Sequence, residues 1–189
     1  SNLGGNGILV NAAATVRVTD SIVRDNGARG INLLNGVKTT ITRAVVSGNA
    51  NPGIYLFGNT PSTSTVDIAD STVDGNGYGI AANSTVSTAI LKLSVRDSRI
   101  VRNSNYGVIA QSNNGAAVSL TASNNMVSNN STGLAAFNAG AKIISSGNTV
   151  TGNASAGFIN NSAVFVSAGN NTVYDNGANN GTITAIATQ

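Results

Sequence analysis

The chain has 189 residues, of which 41% are hydrophobic, 4% aromatic and 9% charged, and its net charge is +3. It contains no Cys, His or Glu, which excludes disulfides, thiolate nucleophiles, Cys-based metal sites and the commonest general base. No apolar run approaches the ~18 residues of a membrane-spanning segment, and the regular recurrence of apolar residues separates the chain from disordered sequences of similar polarity.

From the first residues onward one phrase recurs: an apolar residue, two spacers, Asn, a short gap, then Gly and an apolar residue. It reads Val23-Arg24-Asp25-Asn26 with Gly30-Ile31, then Val46…Asn49 with Gly53-Ile54, then Val73…Asn76 with Gly79-Ile80. It continues through Ile100…Asn103 with Gly107-Val108, Val127…Asn130 with Gly133-Leu134, Val150…Asn153 with Gly157-Phe158, and Val173…Asn176. Successive Asn anchors lie 23, 27, 27, 27, 23 and 23 residues apart. A period of this length marks a solenoid, a propeller or an array.

Within one unit, Val66 and Ile68 alternate with polar neighbours, Ser71 and Val73 continue inward, and Ile80 and Ala82 open a further short strand after the glycine. Alternation of this kind predicts strands, so each turn carries three short strands separated by bends. Strands one turn apart then pair in parallel at about 4.8 Å, which gives seven turns a length of roughly 34 Å. The predicted architecture is an all-β parallel solenoid of seven to eight turns, with residues 1–189 forming a single domain.

Three inward columns follow: Val23 through Val173; Ile8, Ile31, Ile54, Ile80, Val108, Leu134 and Phe158; and Val10, Leu33, Leu56, Ala82, Ala110 and Ala136. Asn26, Asn49, Asn76, Asn103, Asn130, Asn153 and Asn176 form a structural ladder, because stacked amides donate and accept along the rod and Asn tolerates the left-handed backbone of sharp bends. A small polar column precedes it: Ser21, Ala44, Ser71, Ser98, Asn125, Asn148 and Asn171. The glycines from Gly30 to Gly157 are expected to supply the second bend. The four extra residues of the longer turns are expected near Asn59-Thr60-Pro61-Ser62 and Asn83-Ser84-Thr85 as protruding loops.

On these columns the chain resembles the right-handed parallel β-helix repeat family, above all its small secreted bacterial members without an assigned activity. The resemblance spans the whole chain, although the Val-x-x-Asn…Gly-Ile phrase is shared by many such proteins. It implies an exported protein: secreted, periplasmic or on the bacterial cell surface. Members of this kind have an export signal and an N-terminal cap. The chain starts at Ser1-Asn2-Leu3 inside the repeat, so it reads as a fragment. The wider group includes pectate lyases, polygalacturonases, alginate epimerases, phage tailspikes and adhesins, so fold alone assigns no activity.

The polysaccharide-degrading members of the group need carboxylates. The densest set here is Asp67, Asp70, Asp74 and Asp97, close to Lys92, Arg96 and Arg99. These four are weak candidates for acid/base or Ca²⁺ chemistry; the plainer reading is an outer ladder of ion pairs, with Arg43 between Asp20 and Asp70. Neither Asp-Pro-His-Glu nor Gly-His-Gly occurs, so no catalytic residue carries over, and no metal or cofactor is expected. Outward positions of the Gly-Ile strand include Leu9, Leu34, Tyr55, Phe57, Ile109, Phe137 and Ile159, flanked by Tyr78 and Tyr106. Alternation predicts that this apolar face is exposed, and contiguous exposed patches mark interaction sites. Tyr55, Phe57, Tyr78 and Tyr106 are the binding candidates.

The reading is therefore a non-catalytic scaffold or binding module for a polysaccharide or another protein. The alternatives are a fragment of a polysaccharide-active enzyme and an adhesin or phage-type shaft. A homo-oligomer through the apolar face or through an open N-terminal end is a further expectation. Nucleic acid is not expected, since +3 spread over seven turns lacks a clustered basic stripe.

Overall fold

A computed structural model describes residues 2–179 and 181–186. Its described strands form three parallel sheets of seven, eight and seven strands, visited in turn by every repeat. One full turn runs through Pro52–Gly58 in the first sheet, Thr63–Ala69 in the second and Thr72–Asp74 in the third. Each strand then pairs with its counterpart one turn later, as Ile54 does with Ile80 and Val46 with Val73. β-branched residues fit the pleated inner surface, and the three inward columns pair in the expected register.

A volume exchange runs through the core. The inner column of the first sheet starts large and becomes small: Leu33, Leu56, Ala82, Ala110, Ala136. In the same turns the second sheet does the reverse: Thr39, Val66, Leu93, Leu120, Ile143. Each layer thus combines one large and one small residue, which keeps packing close to uniform along the rod. Beyond them, Phe158 and Phe165 pack with ring centroids 4.9 Å apart.

Both bends beside the third sheet share one backbone device. The residue just before every ladder position except Asn171 has a positive φ: Asp20, Arg43, Asp70, Asp97, Asn124 and Gly147 at one bend, and Asp25, Gly48, Gly75, Arg102, Asn129, Gly152 and Asp175 at the other. The left-handed turn is therefore made one residue ahead of the ladder Asn, contrary to the expectation that the ladder residue itself adopts it. With the turn already made, the next side chain points inward and along the rod. The backbone N–H and Nδ2 of Asn103 both donate to Oδ1 of Asn130, each at 2.9 Å, and Nδ2 also donates to the Val73 carbonyl at 3.3 Å. The same pattern links Asn26 to Asn49 and continues to Asn176.

The glycine column has a different task from the one expected. Gly30 and Gly79 do not have left-handed φ; a Cβ on Gly30 would sit 2.7 Å from Val46 Cγ1 and 2.8 Å from Asn49 Nδ2. Glycine is required because the chain passes directly against the amide ladder of the next turn. The extra residues of the long turns fall between the first and second sheets, at 59–62, 85–89 and 113–116. Asn83 and Ser84, expected in a loop, instead lie inside the strand Tyr78–Ser84, and the loop at 113–116 is a third one.

Candidate functional site

Five of the eight aromatic residues lie on the outer side of the first sheet or at its margin: Tyr55, Phe57, Tyr78, Tyr106 and Phe137. The strand register brings them together. Tyr55 pairs with Asn32 on one side and Ala81 on the other, and that outward row continues through Ile109, Ala135 and Ile159. Alternation predicts solvent exposure for the whole row, but Ala81, Ile109 and Ala135 are buried. Large and small residues alternate along it, so the rings of neighbouring turns fold down over the two alanines. Tyr55, Tyr78, Tyr106, Phe137 and Ile159 pack on this second, smaller core, which lies outside the sheet.

The four binding candidates fall into two stacked pairs. Tyr55 and Phe57 lie 5.4 Å apart and 14° from parallel, and Tyr78 and Tyr106 lie 5.8 Å apart at 24°. Phe137 meets Tyr106 edge-on at 5.6 Å. Beside the tyrosines are two hollows. One, of about 220 Å³, is lined by Arg29, Pro52, Tyr55, Tyr78, Asn83 and Gln111 among others. The other, of about 320 Å³, is lined by Tyr106, Phe137, Ile159, Asn160 and Asn161.

Polar groups converge on the first hollow. The Arg29 guanidinium carbon lies 4.6 Å from the Tyr55 ring centroid, within cation–π range. Burial pushes the Tyr55 phenol above its usual pKa, opposed by the Arg29 charge and by a hydrogen bond with the Asn83 side chain. The Tyr106 phenol is also raised, chiefly by burial. Asn113 Nδ2 donates to Asn83 Oδ1 at 3.1 Å and Asn138 Nδ2 to Asn113 Oδ1 at 3.2 Å, so a file of amides borders the rings. Among the described residues Arg29 Nε and Asn32 Oδ1 find no hydrogen-bond partner although they are buried, and both flank Tyr55. Sequence reasoning missed Arg29, although it stands in the position just before the glycine that Tyr78 and Tyr106 occupy in later turns.

The four aspartates do not converge. Asp67 lies on the second sheet, where it accepts a hydrogen bond from Ser94 Oγ. Asp70 and Asp97 occupy exposed left-handed bends, and Arg96 reaches Asp97 at 3.3 Å. Asp74 ends a strand of the third sheet and is paired with Arg102. Arg43 forms a two-pronged pair with Asp20, at 2.7 and 2.8 Å, rather than bridging to Asp70; this partner holds the Asp20 carboxyl below its ordinary pKa. Among the described residues no three acidic groups are placed to hold a metal ion.

Residues 1–122 match the family model described as right handed beta helix region. The chain belongs to the right-handed β-helix family. No curated protein and no solved structure matches it. Within this β-helix, rings and amides gather on the outer side of the first sheet, while the four candidate carboxylates are dispersed over the second and third sheets and the bend between them.

Proposed function

We propose that this β-helix is a non-catalytic binding module of an exported or cell-surface protein, and that the outer face of its first sheet binds a polysaccharide. The observation that carries this reading is the hollow beside Tyr55 and Tyr78, where rings, a guanidinium and side-chain amides meet over a packed apolar base. Ligand sites combine apolar walls with a few convergent polar groups. Sugar rings offer both C–H faces that stack on aromatics and hydroxyls that pair with Asn and Gln amides. The second hollow, beside Tyr106, extends the same surface along the rod, as a chain of several sugar units requires.

A polysaccharide array and turnover screen on wild-type protein, Tyr55→Ala, Tyr78→Ala and Asp70→Ala/Asp97→Ala tests the proposal. Expected is binding without turnover, weakened by either tyrosine substitution and unchanged by the aspartate pair. Turnover lost with the aspartates would overturn the non-catalytic reading. Binding indifferent to both tyrosines would overturn the placement on the first sheet.

A further inference from the structure

The second sheet carries a charge pattern that the composition conceals. Five of the ten cationic residues, Arg17, Lys38, Lys92, Arg96 and Lys142, project from its strands, against one carboxylate, Asp67. Five cations and one anion give this face +4. The remaining five cations and six aspartates give the rest of the chain −1. The nearest further charges line one edge of the face, at the bend carrying Asp20, Arg43, Asp70 and Asp97, where Arg96 pairs with Asp97 and Arg43 with Asp20.

All three lysines stand in one outward row. Its register is Thr15, Lys38, Thr65, Lys92, Ser119, Lys142. A lysine thus recurs every second strand, about 9.6 Å apart at normal strand spacing. The three lysines are exposed and, among the described residues, make no ion pair or hydrogen bond. Next to the row a trough of about 480 Å³ crosses five consecutive strands along the rod axis. It is floored by hydroxyls from Thr40, Thr65, Ser94, Ser119 and Thr121, with Lys38 and Lys92 on it and Asp67 engaged by Ser94.

We infer that this trough binds a linear, base-free phosphodiester polymer, a chain of polyol units joined by phosphates. The axial run of the trough and the single file of lysines fit a thread rather than a compact ligand. The hydroxyls of Thr40, Thr65, Ser119 and Thr121 match both phosphate oxygens and polyol hydroxyls, while the Ser94 proton is held by Asp67. The trough has no guanidinium among its lining residues, whereas planar carboxylates are best matched by the bidentate fork of Arg; Lys binds phosphate as a point charge. Among the described residues no aromatic ring projects from this face, so single-stranded nucleic acid would find no platform for its bases. The site is separate from the aromatic face and stands or falls independently of it.

The test is fluorescence anisotropy of labelled poly(glycerol phosphate) with the full chain over a salt series, with alginate and oligothymidylate as competitors. Three neutralised phosphates on a flexible chain give a slope of about −2 in log affinity against log salt. Lys38→Gln/Lys92→Gln/Lys142→Gln is expected to weaken binding by at least ~10-fold at low salt and to flatten that slope. Lys92→Gln alone should reduce the slope by about 0.7. Arg24→Gln/Arg99→Gln/Arg102→Gln, the same charge change on the third sheet and the bend after it, should leave both nearly unchanged, and circular dichroism checks that every variant is folded. Equal losses in the two triple variants would reduce the effect to net charge and overturn the site. Alginate or oligothymidylate competing as well as the phosphodiester polymer would overturn the occupant, and absence of binding would overturn the proposal.

Discussion

The two bends that flank the third sheet share one backbone and differ in the side chains that finish it. In both, a left-handed residue precedes a buried ladder position. At the bend leading to the first sheet, every ladder residue from Asn26 to Asn176 is Asn, and each from Asn26 to Asn153 ties its turn to the next by donating its backbone N–H and its Nδ2 to the following Oδ1. At the bend leading out of the second sheet, the column changes composition part-way. Ser71 and Ser98 accept one backbone N–H each, at 3.1 Å, from Ala44 and Ser71, and turn their own hydroxyls back to the Ala69 and Arg96 carbonyls. From Asn125 onward that bend too becomes an amide ladder. A serine side chain donates only within its own turn and accepts one bond from the turn before. An asparagine rung extends its bonding through the stack.

The difference has measurable consequences. Asn103→Ala should cost the most, about 3–4 kcal/mol in chemical denaturation. It removes the donors to Asn130 and Val73 and strips Asn76 of its acceptor, leaving buried groups unpaired. Gly79→Ala attacks the same ladder from the opposite side: the new Cβ would meet Ile100 Cγ2 at 2.7 Å and Asn103 Nδ2 at 2.9 Å. A loss of about 3 kcal/mol is expected, because overpacked cores shift only at a cost. Ser98→Ala should cost less, about 1–2 kcal/mol, since it removes the acceptor of the Ser71 N–H and the local bond to the Arg96 carbonyl, which still accepts from the Asp70 N–H. Ser98→Asn sharpens the comparison, because an amide there reaches both Asn125 and the Ile68 carbonyl. A gain of up to about 1 kcal/mol in the same assay is expected, and a loss would show that the serine bend is too tight for an amide. The smallest effect concerns acid. Asp20 titrates below its ordinary 3.8 because of Arg43, so the pair's contribution is present above that value and fades as pH falls through the lower folded one. Arg43→Gln should remove this slight acid sensitivity in melts recorded below pH 4, and an unchanged acid slope would show that the pair contributes nothing.

Much of this was legible because a solenoid repeats its local chemistry. The Asn and Gly columns, the inward Val and Ile positions and the parallel register all follow from spacing alone. The backbone assignments did not follow: which of two adjacent bend residues takes the left-handed conformation depends on where the next side chain must point, so Asp25 and Arg102 make the turn while Asn26 and Asn103 bond along the rod. Glycine was read as a conformational device at Gly30 and Gly79, whereas the structure shows a steric one set by a neighbour one turn away. Alternation assigned Ala81 and Ala135 to solvent because it cannot register that a ring from an adjacent turn folds over a small residue. Lys38, Lys92 and Lys142 are 54 and 50 residues apart in sequence; without the placement of the loops, their shared row could not be read.

The volume exchange between Leu33, Leu56 and the later alanines on one sheet, and Thr39, Val66 and the later leucines on the other, bears on how the chain finds its own frame. Near-identical turns invite misregistration, in which one sheet assembles a full repeat ahead of its neighbour with every polar column still matched. Here a slip in one direction would bring Leu56 into the layer of Leu93 and crowd it, and a slip in the other would bring Ala82 into that of Val66 and leave a void, each a penalty of about 1–3 kcal/mol. Core size thus works as a position code, giving every turn an address that its repeated surface does not carry.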